Sequence, residues 1–308
     1  MTWRAALIGV VLLQVATAHA EPEEAHAYNP GQLGPNALPP QPGEPAWIPL
    51  TPQLTVAVAM QRTQSVLGAD DASLTIPFRV EVPFAGRASL IVEGQPFEWW
   101  LASDATRSVW QPSSWNGLSQ ADIRIGGKFL VFNGAGRWPS VAIRALTKTT
   151  TGKSFFDHRF INAPGYLFDA LFSHRFTLPA LWFVDLWLNV GFFAWQQGPY
   201  GQNDAESFSA TVRAGRPELT VLLEGRGYFG WQKWDKPVQL QLSIDVPLGS
   251  ITGFISATAG LRDPAFFDVR VGIRLGEALR PTRRGDLDEG SPRAIHGFKS
   301  VFFTSDAD

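Results

Sequence analysis

The sequence contains no cysteine. That absence excludes a disulfide scaffold, a thiolate metal site, a cysteine nucleophile and a lipidated N-terminal cysteine. Charge is scarce as well. Asp, Glu, Lys and Arg make up 18% of the 308 residues, against roughly 25% in an ordinary soluble domain. The 26 basic and 28 acidic side chains leave a net charge of −2, which gives no general attraction for nucleic acid. Beyond Ala20 no apolar run is long enough for a membrane helix. What is abundant is aromatic: 12 Trp and 22 Phe. Few charges, many rings and dispersed hydrophobicity leave two classes, a secreted all-β protein and a transmembrane β-barrel.

The ends of the chain set the compartment. Residues 1–20 read as a secretory signal peptide, with Arg4 before the apolar stretch Ala5 to Val15 and a small-x-small site at Ala18-His19-Ala20. Residues 21–51 are rich in Pro, Gly and Glu, which predicts an extended periplasmic linker. Residues 277–308 form a polar C-terminal tail, basic at Arg280 to Arg284 and acidic at Asp286 to Glu289.

Between residues 52 and 276 apolar and polar residues alternate with a period of two, as in Val238 to Val246 and Phe267 to Leu275. Successive side chains of a strand face opposite sides, so each such segment has one apolar and one polar face. About twelve segments carry this signal, many near the 9–11 residues that a tilted strand needs to cross a bilayer. Short connections such as Gly215-Arg216-Pro217 and Pro247-Leu248-Gly249 alternate with longer ones near 65–72, 99–119, 150–165, 196–205 and 231–236. Short turns on one side and longer loops on the other are the pattern of outer-membrane barrels. The predicted fold is therefore all-β, a transmembrane antiparallel up-and-down β-barrel over residues 52–276.

Two sets of residues follow from that fold. Trp99, Trp100, Trp195, Trp231 and Trp234 near the long loops, with Trp138 and Trp182 near the short turns, are expected to form aromatic girdles at the two membrane interfaces. The polar face carries Arg79, Glu81, Glu93, Asp122, Arg124, Lys128, Arg144, Asp185, Arg213, Glu224, Arg226, Asp245, Asp268 and Arg270. An Arg or Lys facing lipid at mid-depth costs roughly 2–4 kcal/mol, so this set is expected to line the lumen. Pairs such as Arg226 with Asp245 or Asp122 with Arg144 would keep that interior hydrated or close it with salt bridges.

Other motifs point nowhere. Lys148 to Lys153 resembles part of a phosphate-binding loop, but a strand precedes it and no helix pattern follows. Ser154, His158, Asn162, Ser173 and His174 suggest a barrel-wall hydrolase, yet the histidines sit at no recognisable catalytic motif. No catalytic, metal or cofactor residue is assigned, and the chain is read as a non-enzyme.

Gly117-Leu118-Ser119-Gln120-Ala121-Asp122-Ile123-Arg124-Ile125-Gly126-Gly127-Lys128-Phe129 resembles a strand motif of the outer-membrane barrels named for the meta-pathway of phenol degradation. Trp138 to Arg144, ending in Lys148 to Gly152, is similar to their following strand, with Thr150 where those proteins usually have Pro. Motif-level likeness covers residues 117–152. The resemblance implies a transporter-like barrel for small molecules. A passive channel in the outer membrane of a Gram-negative-type bacterium is thus the leading expectation. Its expected partners are outer-membrane lipid, the barrel-assembly machinery and a small-molecule solute. A structural or surface-binding barrel with a plugged lumen is the alternative, and an outer-membrane hydrolase comes third.

Overall fold

The computed structural model describes residues 39–64, 70–110, 114–134, 136–152, 164–180, 182–197, 201–230, 236–263 and 265–276. Residues 1–20 and 277–308, read as signal peptide and tail, lie outside these, as do Trp231 and Trp234. The strands are β1 (Gln53–Gln64), β2 (Asp70–Thr75), β3 (Phe78–Phe84), β4 (Ala88–Gly94), β5 (Glu98–Leu101), β6 (Asn116–Ser119), β7 (Arg124–Phe132) and β8 (Ser140–Lys148). They continue with β9 (Gly165–Thr177), β10 (Phe183–Gln197), β11 (Gly201–Arg216), β12 (Leu219–Gly230), β13 (Val238–Leu248), β14 (Ile251–Arg262) and β15 (Ala265–Leu275). One short helix, α1 (Asp104–Trp110), lies between β5 and β6.

All strands join one antiparallel sheet, and β15 pairs back onto β1, from Leu54 opposite Leu275 to Gln64 opposite Ala265. The sheet is therefore closed through β15 and β1, while β6, at the loop end, pairs with β5 alone among the described strands. The 15 strands make a 12-strand barrel because three of its staves are each interrupted once. β2 and β3 form one stave, β4 and β5 the next, β6 and β7 the third. Pro77, which has no N–H to donate, interrupts the first. The breaks lie side by side and are bridged by backbone bonds, Ile76 N to Phe97 O at 3.0 Å and Ala121 N to Gln95 O at 2.9 Å.

Turn chemistry marks one end of the barrel. β13 and β14 are joined through Gly249-Ser250, with Gly249 at φ 73° as a two-residue hairpin requires. The opposite end carries the long connections, with two revisions to the expected loops. β10 and β11 pair from Phe183–Gly215 out to Gln197–Gly201, so much of the expected 196–205 loop is strand. The expected 99–119 loop contains β5, β6 and α1. Its helix start is tied to β2, since Asp71 accepts bonds from Ser103 N at 2.9 Å and Thr106 Oγ1 at 2.8 Å.

The outside of the barrel is apolar. Val212, Val221, Leu223, Leu240, Leu242, Ile244, Ile255, Val271 and Ile273 all point outward and are open to the surroundings. A continuous belt of this kind far exceeds the apolar patches a water-soluble monomer tolerates, and hydrocarbon accounts for it. Leu240 lies mid-strand between Gly225 and Ala259. Leu240→Arg places a charge in that belt, at about 2–4 kcal/mol if it lies at the bilayer midplane. The folded, heat-modifiable band on a gel should then nearly vanish. Normal assembly of this variant would show that the outer face does not meet hydrocarbon.

Candidate functional site: a charged lumen occupied by the N-terminal segment

The alternation that turns aliphatic side chains outward turns charge inward. Lys128, Arg144, Asp185, Arg213, Glu224, Arg226, Asp245 and Asp268 are buried inside the barrel. Arg79, Glu81, Glu93, Arg124 and Arg270 share the inward register, and each is in an ion pair there. Asp122 lies in the break between β6 and β7 rather than on a strand. It meets Lys148 Nζ and accepts from Gly152 N at 2.6 Å, which joins the two halves of the 117–152 motif. Thr149 N donates to Ile123 O at 2.8 Å across the same joint. Lys148 of the loop-like motif is thus held in a luminal ion pair at the end of a strand.

The ion pairs differ from the expected ones because register decides them. Arg226 stands opposite Gln239, bonds to it at 2.9 Å and pairs with Glu224 at 2.8 Å. Asp245 instead holds Arg274 at 2.6 Å. Arg144 stands opposite Asp169 and pairs with it, Nε to Oδ1 at 2.9 Å, rather than with Asp122.

Two girdle assignments are also corrected. Trp195 is 1% exposed and packs inside the barrel against Phe193 and Tyr228, with ring centroids 4.8 and 5.3 Å away. Trp100 is 3% exposed, faces inward and donates to Ser119 Oγ at 3.2 Å. Trp99, Trp138 and Trp182 do point outward. With Leu146, Leu167 and Ile91, the Phe193–Trp195–Tyr228 group forms an apolar layer inside the loop end of the lumen.

The largest departure concerns the expected periplasmic linker. Residues 39–50 enter the barrel and run along its inner wall. A proline-rich strip cannot extend a sheet, because it lacks donors. It can occupy a polar lumen if wall side chains bond its backbone and its few polar groups. Asn189 does this for Glu44, accepting from its N at 3.3 Å and donating to its O at 3.1 Å. Ser173 Oγ accepts from Ala46 N at 2.7 Å, and Lys128 Nζ donates to Pro45 O at 3.4 Å. Arg124 donates to Gln41 Oε1 at 3.0 Å, and Gly43 N donates to Glu224 Oε2 at 3.0 Å. Gly43 passes so close to the wall that an added Cβ would lie 2.6 Å from Thr211 Oγ1 and 2.8 Å from Ser209 Oγ.

Glu44 is the anchor. Arg79 Nη1 lies 2.6 Å from its Oε1, Arg144 Nη1 pairs with the same oxygen, and Lys128 Nζ lies 3.6 Å from Oε2. Nearer the short turns, Trp47 packs edge-on against Trp187 at 6.5 Å and lies under Arg175 at 5.2 Å. Arg175 and Arg213 both clasp Asp185, at 2.6 and 2.5 Å, and both stack over Phe183. Sequence reading missed residues 41–48, together with Asn189 and Ser173 as their receptors. The available signal was a lone acid among prolines facing a wall rich in inward Arg and Lys.

The comparisons agree on architecture. The fold is similar to that of an outer membrane channel from Pseudomonas putida F1, at a TM-score of 0.55 and 12% identity, over 76% of this chain and 98% of that one. The barrel fold is the one seen in that outer-membrane channel. Weaker likenesses are the β domain of the Bordetella autotransporter BrkA and the KdgM porin. The first has a TM-score of 0.45 and 14% identity over 73% of this chain and 98% of that one. The second has 0.42 and 9% over 72% and 98%. No family model and no curated protein matches the chain. The narrower resemblance to the meta-pathway barrels rests on residues 117–152 alone.

Proposed function

We propose that this barrel is a passive outer-membrane channel for small molecules, narrowed by its own N-terminal segment. One observation carries the reading: among the described residues, the segment is bonded to only part of the luminal wall. Hydrogen bonds and ion pairs of residues 41–46 fall on β3, β7–β10 and β12. The face built by β13, β14, β15 and β1 presents Gln61, Thr63, Ser243, Thr258 and Asp268 on its inner side, with Arg270 paired to Asp268. These side chains are closely packed in this state, and where the lumen opens they would solvate a passing polar solute. A segment held by side chains instead of strand pairing can also move without breaking the sheet.

A plugged scaffold is the second reading. The space among Gln41, Arg144, Asp169, Asn189, Ser207 and Ser209 has room for about one water, so no solute passes between the segment and the wall at that point. Planar-bilayer recording separates the two. A channel gives discrete steps that grow with salt concentration. Silence across repeated insertions of correctly folded protein, also after displacement of the segment, would leave the scaffold.

A further inference from the structure

The ion network around Glu44 has a particular arithmetic. Four cations belong to it: Arg79, Arg124, Lys128 and Arg144. Arg79 and Arg124 pair with Glu93, Arg79 and Lys128 with Glu81, and Arg144 with Asp169. The wall therefore contributes four positive charges and three negative ones, and Glu44 supplies the fourth carboxylate. Among the described residues, the wall's part of this network is one negative charge short.

We infer that these wall residues form a binding site for a solute monocarboxylate, and that Glu44 occupies it as a built-in stand-in. The Glu44 carboxylate marks where the solute's would sit, between Arg79, Arg144 and Lys128. The inference rests on the reading of the lumen as a solute path and names the solute class. Charge balance selects one carboxylate over a neutral molecule or a dianion, because buried charge persists where it is matched. The neighbouring layer selects the rest of the molecule. One luminal position beyond Arg144 and Asp169, toward the loop end, lie Leu146 and Leu167, followed by Phe193, Trp195 and Tyr228. That layer is closely packed, so a solute with an apolar body and a single carboxylate meets both layers only as the N-terminal segment gives way to it.

The test is chemical rescue in purified, detergent-folded full-length protein. Glu44→Ala removes the stand-in carboxylate and vacates its space. Thermal unfolding is followed in chloride, acetate, benzoate and benzyl alcohol at fixed ionic strength. Glu44→Ala should melt below wild type, and benzoate should raise its midpoint progressively with concentration, as ligand binding to the folded state requires. Acetate should act more weakly, and chloride and benzyl alcohol should act little. Wild type, in which Glu44 competes for the site, should respond only at much higher benzoate concentration. Adding Arg144→Gln to Glu44→Ala should abolish the benzoate effect.

A Glu44→Ala protein indifferent to benzoate, or a wild type that responds equally, would overturn the site. Equal effects of acetate and benzoate would overturn the apolar-body assignment. Should Glu44→Ala fail to fold, Gly43→Leu replaces it, since that variant displaces the segment with its carboxylate. Bilayer silence alongside a benzoate response sinks the channel and keeps the site. Conductance without any benzoate response does the reverse.

Discussion

Arg144→Leu should lower the stability of the folded barrel by roughly 3–5 kcal/mol, the cost of breaking a buried ion pair from one side. Arg144 is 1% exposed, and its guanidinium binds Asp169 through Nε and Nη2 and Glu44 through Nη1. Leucine approximates the buried volume but offers no donor. Two carboxylates then remain inside the barrel without their main partner. Removing both sides of the wall pair in Arg144→Leu/Asp169→Leu should recover part of the loss, because an apolar replacement of a whole pair is often neutral. Urea unfolding of the refolded protein in lipid vesicles gives the comparison. A single variant that unfolds at the wild-type midpoint would mean that water reaches these groups freely. In that case the lumen is wet at its centre.

The strands were legible because the membrane imposes a two-sided environment on each of them. β13 illustrates this: every second side chain from Leu240 to Val246 points outward, as the alternating pattern requires. The same rule, applied strictly, also places Trp195 inside. On β10 it shares parity with the inward residues Asp185, Trp187 and Asn189. At this position strand parity outweighs the general preference of Trp for membrane interfaces. Trp100 follows the same parity, since it shares an inward face with Glu98.

Ion-pair partners were less legible, because pairing depends on register and register depends on the turns. Arg226 and Asp245 lie on adjacent strands, but Thr220 is the residue opposite Asp245. The luminal course of residues 39–50 was not legible at all. The segment has no period of its own. Its place is set by Arg79, Lys128 and Arg144, which come together only when β3, β7 and β8 take their positions in the closed sheet. Composition could report that the segment avoids sheet and helix, but not where an extended chain finds its partners.

Gly43→Leu should open the lumen while leaving the barrel folded. At Gly43 the luminal backbone runs against Ser209, Thr211 and Glu224, and even a methyl group would come within 3.0 Å of all three. The short hydroxyl side chains of Ser209 and Thr211 sit on β11 and have little freedom to retreat. The segment must therefore lift away, carrying Glu44 out of its bonds to Asn189 and its ion pairs with Arg79 and Arg144. The sheet itself loses nothing, because every strand-to-strand bond from β1 round to β15 is independent of residues 39–50. Heat-modifiable mobility should accordingly stay close to wild type, while single-channel conductance rises several-fold as the occupied part of the lumen fills with water. The shift should also favour anions, since withdrawal of Glu44 leaves the Arg79–Arg124–Lys128–Arg144 network one positive charge in excess. Reversal potentials in a potassium chloride gradient report that selectivity directly. An unchanged conductance in a folded Gly43→Leu protein would mean that residues 39–50 do not limit passage, and the narrowing would have to be sought elsewhere along the wall.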